Sequence, residues 1–195
     1  MNKLIDSQEV VFSNKFSNYN SPEYVVLKEE FEKIPMMDTY IANIIEEYIY
    51  SYVRYYYPDG KLKCEYRTKF GEKDGECKVW YDNGQLWEQT TYIDDKINGE
   101  YKSWFYNGQI TKQTTYVDGE KHGVHKEWWD NGKLWRQTTY VDGKRHGEYK
   151  SWYNNGQLGI QTTVVNDKMH GKYKMWDDNG KLIVDTVYVE GVVQT

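Results

Sequence analysis

The sequence repeats itself with a period of 24 residues, and this period limits the fold more than any other feature. Residues 104–127 read WFYNGQITKQTTYVDGEKHGVHKE, and residues 128–151 read WWDNGKLWRQTTYVDGKRHGEYKS. A tryptophan marks each unit, at Trp80, Trp104, Trp128, Trp152 and Trp176. Fixed periods of roughly 20 to 50 residues are typical of repeat arrays, in which each unit buries its apolar face only against its neighbours. The sequence therefore predicts an elongated array.

Two recurring glycines predict where the chain turns. The first group is Gly60, Gly84, Gly108, Gly132, Gly156 and Gly180, and the second is Gly75, Gly99, Gly123, Gly147 and Gly171. The segments between them are rich in Tyr, Trp, Thr and Val, which favour half-buried strands. Asn-Gly between such segments is a strong hairpin signal, because both residues tolerate positive φ. We predict an all-β repeat array: a single-layer, twisted antiparallel β-hairpin meander of about eleven strands.

The turn after each tryptophan leaves two registers open. A two-residue turn pairs Phe105 with Ile110, whereas a three-residue turn with a glycine bulge pairs Trp104 with Ile110. We prefer the second, which places the recurring Trp and Leu/Ile on one face. On that face this register also places a recurring tyrosine, at Tyr92, Tyr116, Tyr140 and Tyr188. The opposite face then carries a position that varies between units: Trp87, Thr111, Trp135, Gly159 and Ile183.

These motifs resemble those of a known repeat family. The pattern G-x-x-x-x-W-x-x-N-G-x-L, followed by Tyr-Val-x-Gly-Lys-x-His-Gly, is similar to the MORN repeat, and more closely to its 24-residue variant in bacterial antitoxin-type proteins and large DNA-virus proteins. The resemblance covers residues 55–191 and leaves a C-terminal tail at 192–195. It implies a scaffold, a protein-binding module or a lipid-binding module.

The first 54 residues do not follow the repeat. Residues 1–20 are rich in Asn and Ser and are expected to be irregular. The triplet Ser21-Pro22-Glu23 is typical of a helix start, and apolar residues recur at helical spacing over 41–52. We predict a helical cap over residues 21–54, because repeat arrays need covered ends. A partner-binding helix is the alternative, and its Ile-Pro opening resembles that of an F-box adaptor.

Cysteine usage and hydropathy indicate an intracellular, cytoplasmic protein, in the host cytoplasm if it is viral. Cys64 and Cys77 are too few for a disulfide framework. We expect them on neighbouring strands about four positions out of step, which exceeds the Cα separation of about 7 Å that a disulfide allows. No signal peptide is visible, and no apolar run approaches the roughly 20 residues of a membrane span.

Nothing in the sequence predicts an enzyme, a cofactor or a metal. No nucleophile is accompanied by a base, so we name no catalytic residue. His122, His146 and His170 share one position in successive units, which suggests zinc. Equivalent positions in successive hairpins, however, lie roughly 9.6 Å apart. Zinc needs ligand atoms within about 3.5 Å of each other. We therefore predict no bound zinc.

The charge pattern argues against nucleic acid and gives weak grounds for membrane lipid. A formal net charge of −5 offers no electrostatic reason for a nucleic-acid partner. A row of lysines could meet lipid phosphates: Lys78, Lys102, Lys126, Lys150 and Lys174. Glutamates two residues away, at Glu76, Glu100 and Glu148, would partly neutralise that row through cross-strand ion pairs.

The candidate binding residues are aromatic residues grouped around the positions that vary between units. They are Trp87, Trp135, Tyr101, Phe105 and Trp129. Aromatic rings are favoured anchors at interfaces. We predict a non-catalytic protein-binding or scaffold module that presents an aromatic-lined sheet face. An antitoxin-like inhibitor that occludes a toxic enzyme is the alternative, and cross-strand stacking without any partner is another.

The last unit predicts an adhesive sheet edge. Its second strand reads IVDTVYV over residues 183–189, where earlier units read WEQTTYI or WRQTTYV. Val184, Val187 and Val189 leave this strand apolar and uncharged, and such edges are templates for pairing with another chain. We expect the edge to be occupied by a second copy in a homodimer or by a partner strand. In the alternative, residues 190–195 fold back over it.

Overall fold

A computed structural model of the protein describes residues 9–11 and 49–194. They form one antiparallel sheet of fifteen strands that follow one another along the chain, with β6 and β7 both paired to β5. The strands are β1 (Glu9–Val11), β2 (Tyr50–Tyr56), β3 (Leu62–Lys69), β4 (Glu72–Trp80), β5 (Leu86–Ile93), β6 (Lys96–Ile97), β7 (Gly99–Trp104), β8 (Ile110–Val117), β9 (Glu120–Trp128), β10 (Leu134–Val141), β11 (Lys144–Trp152), β12 (Leu158–Val165), β13 (Lys168–Trp176), β14 (Leu182–Val189) and β15 (Val192–Gln194). The predicted all-β meander is confirmed.

The structure contains more strands than the predicted eleven. The N-terminal segment contributes β1 and β2, the C-terminal residues form β15, and residues 96–104 form two strands, β6 and β7. The helical cap predicted over residues 21–54 is wrong at its end, since residues 50–54 belong to β2, which pairs with β3. Exposure there alternates with the period of a strand: Tyr52 and Arg54 are exposed, whereas Ser51 and Val53 are half-buried. Residues 21–48 of the predicted cap lie outside the described residues.

The segment 1–20, expected to be irregular, also contains a strand. Glu9–Val11 forms β1, which pairs with β2 through Val10 and Arg54. Two consecutive valines favour an extended backbone, and the first strand of the array offers unpaired backbone groups at its outer edge. The rest of this segment lies outside the described residues.

The preferred register of the tryptophan turn is confirmed. Trp104 is paired with Ile110. The Phe105 N–H donates to the Gln109 carbonyl at 2.7 Å, and the Gly108 N–H donates to the Phe105 carbonyl at 2.8 Å. Gly108 has φ of 82°, whereas Asn107 is not among the residues with positive φ. The turn is therefore a three-residue loop that needs a glycine only at its last position.

One part of the register prediction is wrong, namely the face of the recurring tyrosines. The pairing shifts between Ser103 and Trp104, which leaves Thr111 as an extra residue in β8. Because the extra residue reverses the side-chain alternation, Tyr116 lies opposite to Trp104 and contacts Tyr101, with ring centroids 6.0 Å apart. The tyrosines and the tryptophans therefore lie on opposite faces.

Most burial occurs on one face of the sheet. We call the face that carries Ser103 and Thr114 the inner face, and the face that carries Trp104 and Ile110 the outer face. The buried side chains of the inner face are small or polar: Thr68, Cys77, Thr90, Ser103, Thr114, His125, Glu127, Thr138, Thr162 and Val164. A threonine recurs in this core once per unit, and its branched side chain suits a pleated strand.

The turn asparagines join each unit to the next. Asn131 is representative: its Oδ1 accepts from the Lys133 N–H at 3.0 Å, and its Nδ2 donates to the Asn154 carbonyl at 2.8 Å. Asn83, Asn107 and Asn155 make the same pair of contacts. The side chain therefore fastens its own turn and also links successive hairpins.

The two cysteines are closer than the sequence suggested. Cys64 pairs with Val79, so Cys77 is two positions out of step and not four. The register shifts over the stretch of β4 that contains Gly75, which has φ of 105°. Both thiols are free and both lie on the inner face. A hydrogen bond from Cys77 lowers the pKa of Cys64 to about 7, and the same bond, together with burial, raises the pKa of Cys77.

Candidate binding site on the inner face

A row of aromatic rings stands beside the tryptophan turns. The row, which we call the ring row, consists of Tyr57, Tyr81, Phe105, Trp129 and Tyr153. Its polar ring atoms donate to a backbone carbonyl of the next unit: Tyr57 to Trp80 at 2.7 Å, Tyr81 to Trp104 at 2.8 Å, Trp129 to Trp152 at 3.2 Å, and Tyr153 to Trp176 at 3.0 Å. Phe105 has no polar ring atom, so it cannot make the equivalent contact with the Trp128 carbonyl.

A pocket of about 520 Å³ lies at this interruption. Phe105, Trp129 and Trp135 provide its aromatic walls, and Trp128 also lines it. The rings of Trp129 and Trp135 have centroids 5.1 Å apart and an interplanar angle of 43°. Its polar lining consists of Thr111, Lys112, Glu127, Asp130 and Asn154. We call this site the Phe105 pocket.

The structure brings together three of the five predicted binding residues. Phe105, Trp129 and Trp135 line the Phe105 pocket. Trp87 lies in the preceding unit, where its ring is 5.9 Å from that of Tyr81 and 46% of the residue is exposed. It therefore extends the aromatic surface without entering the pocket.

Tyr101, the fifth predicted residue, has a different environment. It is half-buried on the inner face, and its hydroxyl donates to Glu88 Oε2 at 3.0 Å. Burial raises the pKa of Tyr101 above its usual range, and the charge of Glu88 contributes further. Tyr101 therefore supports the fold beside the pocket and does not line it.

A buried charged cluster adjoins the pocket, and sequence reasoning missed it. The exposed fractions of His125 and Glu127 are 2% and 6%. Glu127 Oε2 lies 2.5 Å from Arg136 Nη2, and Glu127 Oε1 lies 3.2 Å from His125 Nε2. The latter atoms are close but are not aligned as a hydrogen bond, and His125 Nδ1 has no partner. The Arg136 guanidinium also lies 5.1 Å from the centre of the Trp135 ring.

Electrostatics keep Glu127 ionised in this cluster. Burial favours the protonated carboxyl, but contact with His125 and the charge of Arg136 outweigh burial and lower the pKa of Glu127 to about 2. The sequence did contain a signal for this cluster. Glu127 stands where other units have Val79, Ser103, Ser151 and Met175, so this position also varies between units.

Comparison with known proteins places these units in a family. The family model described as MORN repeat variant matches six consecutive segments, at residues 52–69, 73–94, 97–118, 121–142, 145–166 and 169–190, which together make up more than half of the chain. The chain belongs to the MORN repeat family. The Phe105 pocket is therefore lined by residues of three successive MORN units, the third of which contributes Asn154.

Two solved structures share a weak likeness with this MORN array. One is described as the crystal structure of TarM, with 17% identity and a TM-score of 0.32 over 60% of this chain. The other is a mutant S. aureus TarM in complex with fondaparinux, α-GlcNAc-glycerol and UDP, with 16% identity and a TM-score of 0.32 over 61% of this chain. The chain spans about a quarter of each, at 25% and 26%. No curated protein matches the chain.

The outer face of the MORN units carries neutralised lysines. Lys102 Nζ lies 2.7 Å from Glu100 Oε2 within β7, and Gln113 Nε2 on β8 donates to the other oxygen of Glu100 at 2.6 Å. The units containing Lys78 and Lys150 repeat this arrangement. These three ion pairs therefore form within one strand rather than across strands as expected, and a glutamine makes the cross-strand contact. Lys174 differs, because its Nζ lies 3.8 Å from Asp185 Oδ2 on the neighbouring strand.

The three recurring histidines lie on alternate strands of the MORN array. His122, His146 and His170 belong to β9, β11 and β13, so a strand separates each from the next. Nδ1 of His122 lies 3.5 Å from Asp142. Among the described residues, no three His, Cys, Asp or Glu side chains are grouped to hold a metal ion. The absence of zinc stays a prediction.

The C-terminal edge of the last MORN unit is covered in part. Val192–Gln194 forms β15, which pairs with β14 between Val187 and Val189. Val184 lies outside this paired stretch, and its exposed fraction is 36%. Within the described part of the chain, no strand pairs with the outer edge of residues 182–186.

The described residues also contain no helix that is long and apolar enough to cross a membrane.

Proposed function

We propose that this chain is a non-catalytic protein-binding module whose MORN array presents the aromatic surface of the inner face to a partner. The observation that carries the proposal is the Phe105 pocket, where Phe105, Trp129 and Trp135 line one opening in an otherwise regular sheet. Its volume of about 520 Å³ falls in the range of ligand-binding clefts.

The fold does not require tryptophan at the exposed positions. Trp135 occupies the extra position that follows the turn leucine, and Thr111 and Gly159 occupy the same position in the neighbouring units. Trp135 keeps 38% of its surface exposed, so this position leaves a large apolar area open to solvent. Tryptophan is among the residues that most often dominate interface energies. Selection for a partner accounts for its presence better than folding does.

The outer face supports a protein partner less well, and it also gives little reason for lipid. Lys78, Lys102 and Lys150 each pair with a glutamate two residues earlier. Phosphate groups on a membrane would therefore meet a nearly neutral row. The inner face, which combines exposed rings with fixed polar groups, is the better recognition surface.

Affinity capture from the source cells tests the proposal. Trp87→Thr combined with Trp135→Thr places on both positions the residue that the intervening unit already has, so the array should fold. We expect specifically captured proteins to be lost with this variant and retained with Ile93→Thr, which removes an exposed apolar residue elsewhere (49% exposed). An unchanged set of captured proteins would contradict the proposal. A captured enzyme that the chain inhibits would identify the antitoxin-like form of the function.

A further inference from the structure

We infer that the Phe105 pocket receives an arginine side chain from an extended segment of the partner protein. The inference rests on the proposed function and specifies the chemistry of the contact. Three features carry it: an acceptor that the ring row leaves unused, aromatic walls, and an exposed carboxylate beside them.

The interruption of the ring row leaves a place for an external donor. In four units a ring of the preceding hairpin donates to the carbonyl of the next recurring residue, at 2.7 to 3.2 Å. The Trp128 carbonyl is the equivalent acceptor beside Phe105, and Trp128 lines the pocket. An N–H group of a ligand placed against Phe105 can supply the donor that the other units obtain internally.

Cation–π contacts already occur within the inner face. The Lys73 ammonium lies 4.8 Å from the centres of both the Tyr66 and the Tyr92 rings, and the Lys121 ammonium lies 5.1 Å from the centre of the Tyr140 ring. Such contacts are favourable within about 6 Å, and most favourable over tryptophan. Trp129 and Phe105 offer rings of the same kind inside the pocket, so a planar guanidinium can stack there.

Asp130 is the exposed carboxylate that an incoming cation can meet, because Glu127 is already paired with Arg136. Both acids line the pocket, and Glu127 is buried there. Arg136 also lies against Trp135. The remaining base is Lys112, which is exposed and free to turn towards solvent. Guanidinium, with several N–H groups in one plane, can reach the Trp128 carbonyl and a carboxylate together, which a single ammonium does less well.

A pair of matched peptides tests this inference on the full chain. The probe is a capped Gly-Gly-Arg-Gly-Gly peptide, and its control carries citrulline, which has the same shape without the charge. Indole N–H signals of Trp129 and Trp135 report binding by NMR. We expect saturable shifts in both signals at millimolar peptide and at least about fivefold weaker binding of the citrulline peptide. Equal binding of both peptides, or no shift at about 10 mM, would overturn the inference.

Two substitutions locate the contact. Phe105→Tyr should restore the internal hydrogen bond to the Trp128 carbonyl and weaken arginine binding by at least about fivefold, while leaving the fold intact. Tyr153→Phe is the matched control, because it opens the ring row where the next unit has Asp177 and Ile183 in place of Trp129 and Trp135. It should leave peptide affinity unchanged. Undiminished binding by Phe105→Tyr would show that the arginine lies elsewhere.

The inference and the proposed function fail separately. If the arginine peptide does not bind but the tryptophan double variant still loses its captured partner, the pocket chemistry is wrong and the binding surface stands. If the peptide binds at Trp129 and Trp135 but capture is unchanged by the double variant, the arginine pocket stands and the wider aromatic surface is not the partner interface.

Discussion

At the scale of single residues, Glu127 departs furthest from the repeat. The other units carry no carboxylate at its position, so the fold does not need one there. Burying an ionised carboxyl is costly unless cations and hydrogen bonds compensate. Arg136 and His125 provide that compensation beside the pocket. The cluster holds Arg136 against Trp135, which forms one wall of the Phe105 pocket.

Glu127→Gln should make the protein less stable in a pH-dependent way. The pKa of Glu127 is lowered from the usual 4.5 to about 2 in the folded state. A lowered folded pKa gives stability that is present above about pH 4.5 and is lost as pH falls towards 2. We expect Glu127→Gln to reduce the free energy of unfolding by about 1–3 kcal/mol at pH 7. This deficit should shrink as the pH falls through that window.

Urea titrations at several pH values measure this effect. Glu100→Gln is the control, since it removes an exposed outer-face ion pair that contributes less than about 1 kcal/mol. A deficit for Glu127→Gln that is the same at pH 7 and pH 3 would refute the role assigned to the ionised carboxylate.

Cys64 should react as an activated thiol. Its pKa of about 7 depends first on the hydrogen bond with Cys77. Because the thiolate is the nucleophile, alkylation by iodoacetamide should reach half of its maximal rate near pH 7. Cys77→Ala removes the hydrogen bond and should move this midpoint up towards the usual 9.0. Mass spectrometry measures the alkylation rate at each pH. The same pH midpoint in Cys77→Ala and the wild type would show that Cys77 does not lower the pKa of Cys64.

At the scale of elements, the turns do more than reverse the chain. In the tryptophan turn only Gly132 has positive φ, so the backbone conformation at position 131 does not require an asparagine. Its side chain instead bridges to the next turn. The second link behaves differently, because Asp142 and Gly143 both have positive φ, at 47° and 75°. The two-residue turn, which was the alternative for Asn-Gly, therefore occurs at Asp-Gly.

Asn131→Asp should test the link between hairpins. The carboxylate keeps the acceptor for the Lys133 N–H but loses the donor to the Asn154 carbonyl. We expect a loss of about 0.5–1.5 kcal/mol in the free energy of unfolding, and a larger loss for Asn131→Ala, which removes both contacts. Calorimetric melting measures both variants. Equal stability of Asn131→Asp and the wild type would mean that the bridge between turns contributes nothing.

The repeat period was sufficient to predict strands, turns and the pairing of Trp104 with Ile110, because each is a local consequence of turn length. It was not sufficient to locate the tyrosines, because the residue inserted at Thr111 leaves no mark in an alternating pattern. Residues 50–54 were assigned to a helix because a short stretch of Tyr, Ile and Val fits both periods. In the site, exposed rings were predictable from their variation, whereas His125 and Glu127 acquire meaning only from their contacts.

At the scale of the whole molecule, the two faces and the final edge have distinct properties. The outer face carries the recurring tryptophans and a row of lysines, three of which pair with a glutamate two residues earlier. The inner face contains the core, the charged cluster and the Phe105 pocket. At the final edge, Leu182, Ile183 and Val184 are exposed by 44%, 50% and 36%. An apolar edge of this kind favours pairing with another strand.

We predict that the final edge pairs with a second copy of the chain. Light scattering of the purified protein should show dimers at high micromolar concentration. A variant with Val184→Lys and Val187→Lys should be monomeric, since charged side chains at an edge oppose strand pairing. A wild-type monomer at that concentration would exclude the homodimer.

The central claim is that partners bind the inner face at the Phe105 pocket. Site-specific photo-cross-linking tests it most directly, with a benzophenone side chain placed at Thr111 in one variant and at Thr115 in another. Thr111 lines the pocket at a position where other units carry tryptophan, so a large ring is tolerated there. Thr115 is exposed on the outer face of the same strand. The account predicts a cross-linked partner from position 111 and none from position 115, and a partner captured only from position 115 would contradict it.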